Sequence, residues 1–203
     1  MPSEHIPEIL STLVKQLSAL PGLGPKSAMR LAMTLLEWPE ARTRALGESI
    51  RTLRDQLGLC SRCGGLTQSD PCLICADRSR SRTELCLVSE WDSMLALDQG
   101  GFYHGQYMVL GGLLAPLEQK DASRLNIDRL LKRLAEGEVQ EVILALGATT
   151  DAEMTTSWLL SILKQRFPAV RVSRLAQGIP LGGEVKYMDR ETLKQSLAYR
   201  QSL

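Results

Sequence analysis

Apolar residues recur at spacings of three and four along the first stretch of the chain, at Ile6, Ile9, Leu10, Leu13, Val14, Leu17 and Leu20. This periodicity predicts an amphipathic helix over residues 6–20. The run PGLGP interrupts it. A second helix is predicted over 26–38, with Ala28, Leu31, Ala32 and Leu35 facing its partner and Pro39 ending it. A third is predicted over 40–58, with Ala41, Ala45, Ile50, Leu53 and Leu57 on one face.

After Glu84 the pattern changes. Short apolar runs, LCLVSE, YMVLGG, EVILAL and VRVSRL, alternate with longer mixed ones, WDSMLALDQ, NIDRLLKRLAEG, AEMTTSWLLSILKQRF and RETLKQSLAYRQ. Apolar strands alternating with helices predict a mainly parallel sheet covered on both faces. The boundary between the two patterns lies near residue 80. The expected organisation is multidomain, α+β then α/β. It comprises a helical domain over 1–58, a cysteine-rich segment over 59–79, an α/β domain over 80–175, and a closing turn and helix over 176–203.

Between the two patterns stand four of the five cysteines, as Cys60-x2-Cys63 and Cys72-x2-Cys75 with eight residues between the pairs. Each pair closes a tight knuckle that brings two thiolates onto one ion, and two knuckles supply four tetrahedral ligands. The gap is shorter than the roughly 15–20 residues of common zinc ribbons. Gly64-Gly65 and Asp70-Pro71 supply the turns that let the knuckles meet. A redox Cys-x-x-Cys needs only one pair, and disulfides do not suit a cytosolic chain. Structural zinc, one ion per chain with no open coordination position, is the favoured reading. Cys86, within a strand, reads as a small buried hydrophobe.

Composition adds little until it is divided. The 203 residues carry a net charge of +1 and are only 4 % aromatic. Residues 1–83 hold 11 Lys/Arg against 8 Asp/Glu, and residues 84–203 hold 13 against 15. A polyanion site is therefore expected in the N-terminal part, as a local patch. No stretch approaches the ~20 apolar residues of a membrane span, and the N-terminus lacks the basic patch of a signal peptide. The expected location is the cytoplasm.

The local patch has a candidate in LPGLGPKSAMRLA. Gly22 and Gly24 can take positive φ freely, so two helices can be joined by a very tight turn. Pro25 suits the first position of the next helix. Backbone N–H groups are left pointing outward at a helix start, a natural place for a phosphate. Lys26 and Arg30 lie four apart and share one face. The alternative is a plain helical hairpin with solvated cations. No aromatic cluster is nearby to stack on bases, which favours backbone contact over base readout.

This stretch resembles a helix–hairpin–helix motif. Taken with CSRC and CLIC, GQYMVLGG, RLAEGEVQEVILA and SRLAQGIPLGGEVKYMD, the chain resembles the RecR family of bacterial recombination mediators nearly end to end. The resemblance implies a Toprim domain for the α/β part and a non-enzymatic DNA clamp. Such proteins assemble into rings, commonly tetramers, with the hairpins lining the hole. They act with RecO, and in many bacteria RecF, to load RecA onto single-stranded DNA in gap repair. Carried over, Gly22, Gly24, Lys26 and Arg30 become DNA-contacting residues, and the four cysteines zinc ligands. The implied location is the cytoplasm, at the nucleoid during repair.

The sequence departs from the resemblance at three strand ends. Toprim enzymes hold Mg²⁺ through acids there. The first strand normally ends in a glutamate, but here Ser89 holds that position and Glu90 follows one residue later, on the other face. LGATTDAEM places Asp151 where relatives carry a glutamate, without their Asn-Pro. PLEQKD, 116–121, replaces an Asp-Gly-Ile-Gly run. A catalytic Toprim metal site is not expected, with Asp151 and Glu153 read as solvated acids or as part of a retuned partner surface. Two other classes remain as alternatives: a Mg²⁺-dependent Toprim enzyme acting on DNA, and a zinc-stabilised protein-interaction module. His5 and His104 read as surface or loop residues. Arg78, Arg80 and Arg82 read as a solvated linker or an added DNA contact. Leu110–Gly112 and Leu181–Gly183 read as turns.

Overall fold

The computed structural model describes residues 6–115 and 122–200. His5 and the PLEQKD segment lie outside them. The chain divides into two compact units, 1–56 and 57–203.

In the first unit, α1 (Glu8–Ser18) and α2 (Pro25–Glu37) pack on each other, and α3 (Glu40–Gln56) follows. Pro25 opens α2 at a position where its missing N–H costs nothing. Pro39 and the extended Trp38 end it. Among the described residues of this unit only Ala28 and Ala32 are fully buried, and their small side chains let the helix backbones approach closely. Leu31 departs from its predicted place against the partner helix, being 42 % exposed. The apolar face predicted for α3 is not covered by this unit: Ile50 and Leu53 are more than half exposed, and α3 has no buried residue. The face is real but too few residues surround it, because a 56-residue segment has little interior to offer. The helix also stops at Gln56, where Gly58–Leu59 leave it to form a strand.

The second unit begins with a two-stranded antiparallel hairpin, β1 (Gly58–Leu59) and β2 (Leu66–Thr67), and a short helix α4 (Leu73–Ala76). Four parallel strands follow: β3 (Glu84–Val88), β4 (Gln106–Val109), β5 (Glu141–Ala145) and β6 (Arg171–Arg174), in the order β4-β3-β5-β6. Helices α5 (Trp91–Gln99), α6 (Ile127–Ala135) and α7 (Thr150–Arg166) make the crossovers, and α8 (Arg190–Ala198) closes the chain.

Strand alternation sorts the core into two layers. Leu85, Leu87, Met108, Leu110, Val142 and Leu144 pack with Leu130 and Leu134 of α6 and Leu159 and Leu163 of α7. Cys86, Val88, Tyr107 and Val109 pack on the other face with Met94 of α5. The expected two-sided cover holds for β3 and β4, which are buried almost throughout. It weakens at β5, whose residues alternate between buried and half-buried, and is lost at β6, an exposed edge strand. Two helices, α6 and α7, cover one face, and α5 alone is left for the other, too little to reach β6.

Candidate zinc centre and nucleic-acid interface

The two knuckles close on one point. The Sγ atoms of Cys60, Cys63, Cys72 and Cys75 all lie within 4.8 Å of one another, and Cys63 and Cys72 are 3.7 Å apart. A tetrahedron with ~2.3 Å metal–sulfur bonds has edges of about 3.8 Å, so the donor set fits zinc with a closure of no more than about 1 Å. The loop amides are already aimed at sulfur. Gly65 N–H donates to Cys63 Sγ at 3.4 Å, Cys72 N–H to Cys60 Sγ at 3.3 Å, and Cys75 N–H to Cys72 Sγ at 3.4 Å. Burial raises the Cys60 thiol, but amides of Cys72, Cys63 and Arg62 outweigh it and bring it down to about 7. Hydrogen bonding with Cys75, then burial, pushes the Cys63 thiol up, and burial lifts Cys72 to about 11. Without a cation these sulfurs cannot all ionise together. A metal with four thiolate ligands resolves that conflict.

The zinc lobe is built into the α/β unit. Asp70 accepts the Ser61 amide at 2.8 Å, and Val109 N–H at the end of β4 donates to Cys63 O at 2.7 Å. Gly64, at φ +73°, sits under the Arg129 guanidinium and the Asn126 amide, and a Cβ there would lie 2.7 Å from Arg129 Nη1. Sequence reasoning missed a residue here. Arg133, on the amphipathic run of α6, is 5 % exposed and donates to Tyr107 O and Gln106 Oε1. Burial lowers its pKa, while the Cys75 and Cys63 sulfurs act in the opposite sense. A zinc tetrathiolate carries a net negative charge, and this buried cation answers it. No spacing rule distinguishes Arg133 from its solvated neighbours.

In the first unit, the corner between α1 and α2 takes the form the glycines predict, with one refinement. Gly22 alone has positive φ, at +79°. Gly24 is the extended residue that precedes α2, at φ −79° and ψ 166°. Lys26 and Arg30 both project into solvent one turn apart on α2. Neither forms an ion pair with a described residue. Elsewhere in that unit α3 ties Arg44 to Glu40 and Arg51 to Glu48, and Arg42 lies over the Trp38 ring at 3.6 Å, whereas Lys15 and Arg54, like Lys26 and Arg30, form no ion pair with a described residue.

In the basic run near the boundary Arg78 and Arg82 are exposed, as the solvated reading expects, and Arg80 departs from it. Arg80 is largely buried, hydrogen-bonded to Asp98 at 2.5 Å and to Gly105 O at 3.3 Å. Arg82 pairs with Glu138, and of these three only Arg78 has no ion-pair partner among the described residues. Cys86 is buried as expected, and burial pushes its thiol up to about 12. His104 is exposed in a loop. Gly111 and Gly112, at φ +89° and +143°, form a turn whose amides both donate to Ser89 O at 2.9 Å. Gly182 turns the chain likewise at φ +80°.

Among the described residues, the strand-end acids do not assemble into a divalent-metal site. Glu90 is the exposed residue that precedes α5. Glu153, in the first turn of α7, is occupied by protein donors: Arg174 Nη1 at 3.0 and 3.2 Å to its two oxygens, and Gln177 Nε2 at 3.1 Å. Among the described residues, the four cysteines are the group that brings three or more metal-ligating side chains together.

A glycine-cornered helical hairpin, a four-cysteine zinc centre and a parallel α/β sheet on one chain define a modular zinc protein with helix–hairpin–helix and Toprim parts. Comparison with known families matches each part in turn. Residues 10–54 match the RecR helix-hairpin-helix, 57–77 the RecR zinc-finger domain with four cysteine ligands, 83–176 the Toprim domain and 178–201 the RecR C-terminal region. The chain is 62 % identical over 200 residues to the Recombination protein RecR of Nitratidesulfovibrio vulgaris, covering 98 % of this chain and 100 % of that one. It is 50 % identical to that of Maridesulfovibrio salexigens over the same shares, and 44 % identical to that of Syntrophobacter fumaroxidans over the whole of both chains. The chain belongs to the RecR family of recombination proteins, with a role in recombination repair, and its four cysteines hold one zinc ion. No described helix is long and apolar enough to cross a membrane.

Proposed function

We propose that the protein is a non-enzymatic mediator that binds DNA through its sugar–phosphate backbone. In this reading it closes into a ring, commonly a tetramer, and acts with RecO, and with RecF where present, to help load RecA onto single-stranded DNA. The work would be done in the cytoplasm, at the nucleoid. Gly22 and Gly24 shape the corner, and Lys26 and Arg30 supply the phosphate contacts.

The observation that carries the reading is the pair of solvent-facing, unpaired cations one turn apart at the start of α2, beside a corner that leaves amides free. Two phosphate contacts per chain are few, and several linked chains would add them at high effective concentration. The first unit supports such linkage. Ile9, Leu36, Ile50 and Leu53 are each more than half exposed on its three helices, apolar side chains available to a neighbouring copy. The closed pairing of Glu153 supports a role without Toprim chemistry.

The test is retention of single-stranded and duplex DNA of unrelated sequences, with solution mass measured on the same samples. The wild type is expected to bind all sequences alike at several times the chain mass. Lys26→Ala/Arg30→Ala is expected to keep that mass and lose roughly tenfold or more in affinity. Undiminished retention by the double variant contradicts the reading.

A further inference from the structure

The strand-end pocket of the Toprim part contains its own cation. Arg174 is the last residue of β6, and Glu153 lies in the first turn of α7, which follows β5. Both therefore stand at the carboxyl edge of the parallel sheet, where open α/β folds place their ligands. A pocket of about 350 Å³ opens beside them, lined by Gly147, Ala148, Thr156 and Thr192 as well. We infer that Arg174 serves there as a permanent, non-exchangeable substitute for the divalent cation that Toprim acids hold in enzymes. On this assignment the pocket is closed to Mg²⁺ by the partly exposed Arg174–Glu153 ion pair as well as by altered acids.

Three features carry the assignment. First, a Mg²⁺ ion bound through one or two carboxylates needs their oxygens free. Both oxygens of Glu153 instead accept from Arg174, and one accepts from Gln177 as well. Secondly, a guanidinium is covalently part of the chain and keeps its charge in a protein, so this cation does not depend on metal supply. Thirdly, the donors come from the segment that leaves the sheet. Leu175 N–H continues the ladder to Leu144 O at 3.2 Å, and Gln177 follows two residues later. The ion pair thus pins the start of the C-terminal segment to α7, a mechanical task that an exchangeable ion would perform only when bound. Asp151 flanks the pair in the same helical turn and is the second carboxylate a metal would need.

This inference is independent of Lys26 and Arg30 and can fail while the DNA reading stands. The test is titration of the zinc-loaded full chain with Mn²⁺, followed by loss of the free-ion electron paramagnetic resonance signal. Wild type and Arg174→Lys, which keeps a cation, are expected to show no saturable uptake. Arg174→Gln is expected to gain a saturable site, and Arg174→Gln/Glu153→Gln to lose it again. Saturable Mn²⁺ uptake by the wild type that Glu153→Gln abolishes would overturn the assignment. So would a folded Arg174→Gln chain that takes up none. The wild-type and Glu153→Gln titrations decide the matter even if Arg174→Gln fails to fold.

Discussion

The two units of this chain solve opposite problems. Residues 57–203 bury Leu85, Leu87, Tyr107, Met108 and Leu130 almost completely, and anchor a zinc lobe to the end of the same sheet. Residues 1–56 fully bury two alanines and leave large aliphatic side chains in water on all three helices. One unit closes a large aliphatic core around its sheet, although Leu73, Phe102, Leu181 and Leu197 stay exposed at its margins. The other has almost no interior of this kind and leaves Lys26 and Arg30 solvent-facing at its glycine corner. The contrast teaches that a weak interior need not mean a weak design, since an apolar face left open is available to a second molecule.

The largest effect should come from the metal. Structural zinc contributes roughly 10–16 kcal/mol of binding free energy in small zinc modules at neutral pH. Cys63→Ala is expected to lose the ion and the cooperative melting of the zinc lobe, read by metal content and thermal unfolding. Full zinc content with an unchanged melting point would break the account of the second unit. Next comes Leu87→Ala, which empties part of a fully buried site and should cost about 2–5 kcal/mol in denaturant unfolding. Arg133→Ala follows, at about 3 kcal/mol, because it strips the thiolate cluster of its buried counter-ion and leaves Gln106 unpaired. A neutral result there would mean that Arg133 does not answer the zinc charge. The smallest stability effect sharpens the comparison most. Ile50→Ser, on the open face of α3, should change unfolding by no more than about 0.5 kcal/mol within the chain itself, yet lower the solution mass if that face is covered by another copy. A cost like that of Leu87→Ala with no change in mass would show that the face is covered from within.

Much of the fold was legible because it rests on local signals. Three parallel strands follow from short apolar runs and the fourth from the alternation in VRVSRL, the hairpin from Gly22 and Pro25, and the zinc ligands from two knuckle spacings. What could not be read depends on partners distant in sequence. Arg80 looked like one of three equivalent linker arginines until Asp98 and Gly105 closed on it. Arg133 sits on a helix whose periodicity does not say that its outer neighbour is a metal cluster. Glu153 read as a solvated acid, and its engagement by Arg174 and Gln177 is visible only once β6 lies beside β5. The apolar face of α3 was correctly seen as a face, but periodicity does not report what covers it.

The claim on which the functional account stands is that Lys26 and Arg30 meet nucleic-acid phosphates. The most direct measurement is the dependence of DNA affinity on salt concentration, for wild type and for Lys26→Ala and Arg30→Ala singly. Each phosphate contact contributes about one unit to the slope of log affinity against log salt. Each single variant is expected to flatten that slope, by about one unit for every copy engaged, and to do so equally on unrelated sequences. Slopes identical to the wild type in both variants would contradict the account.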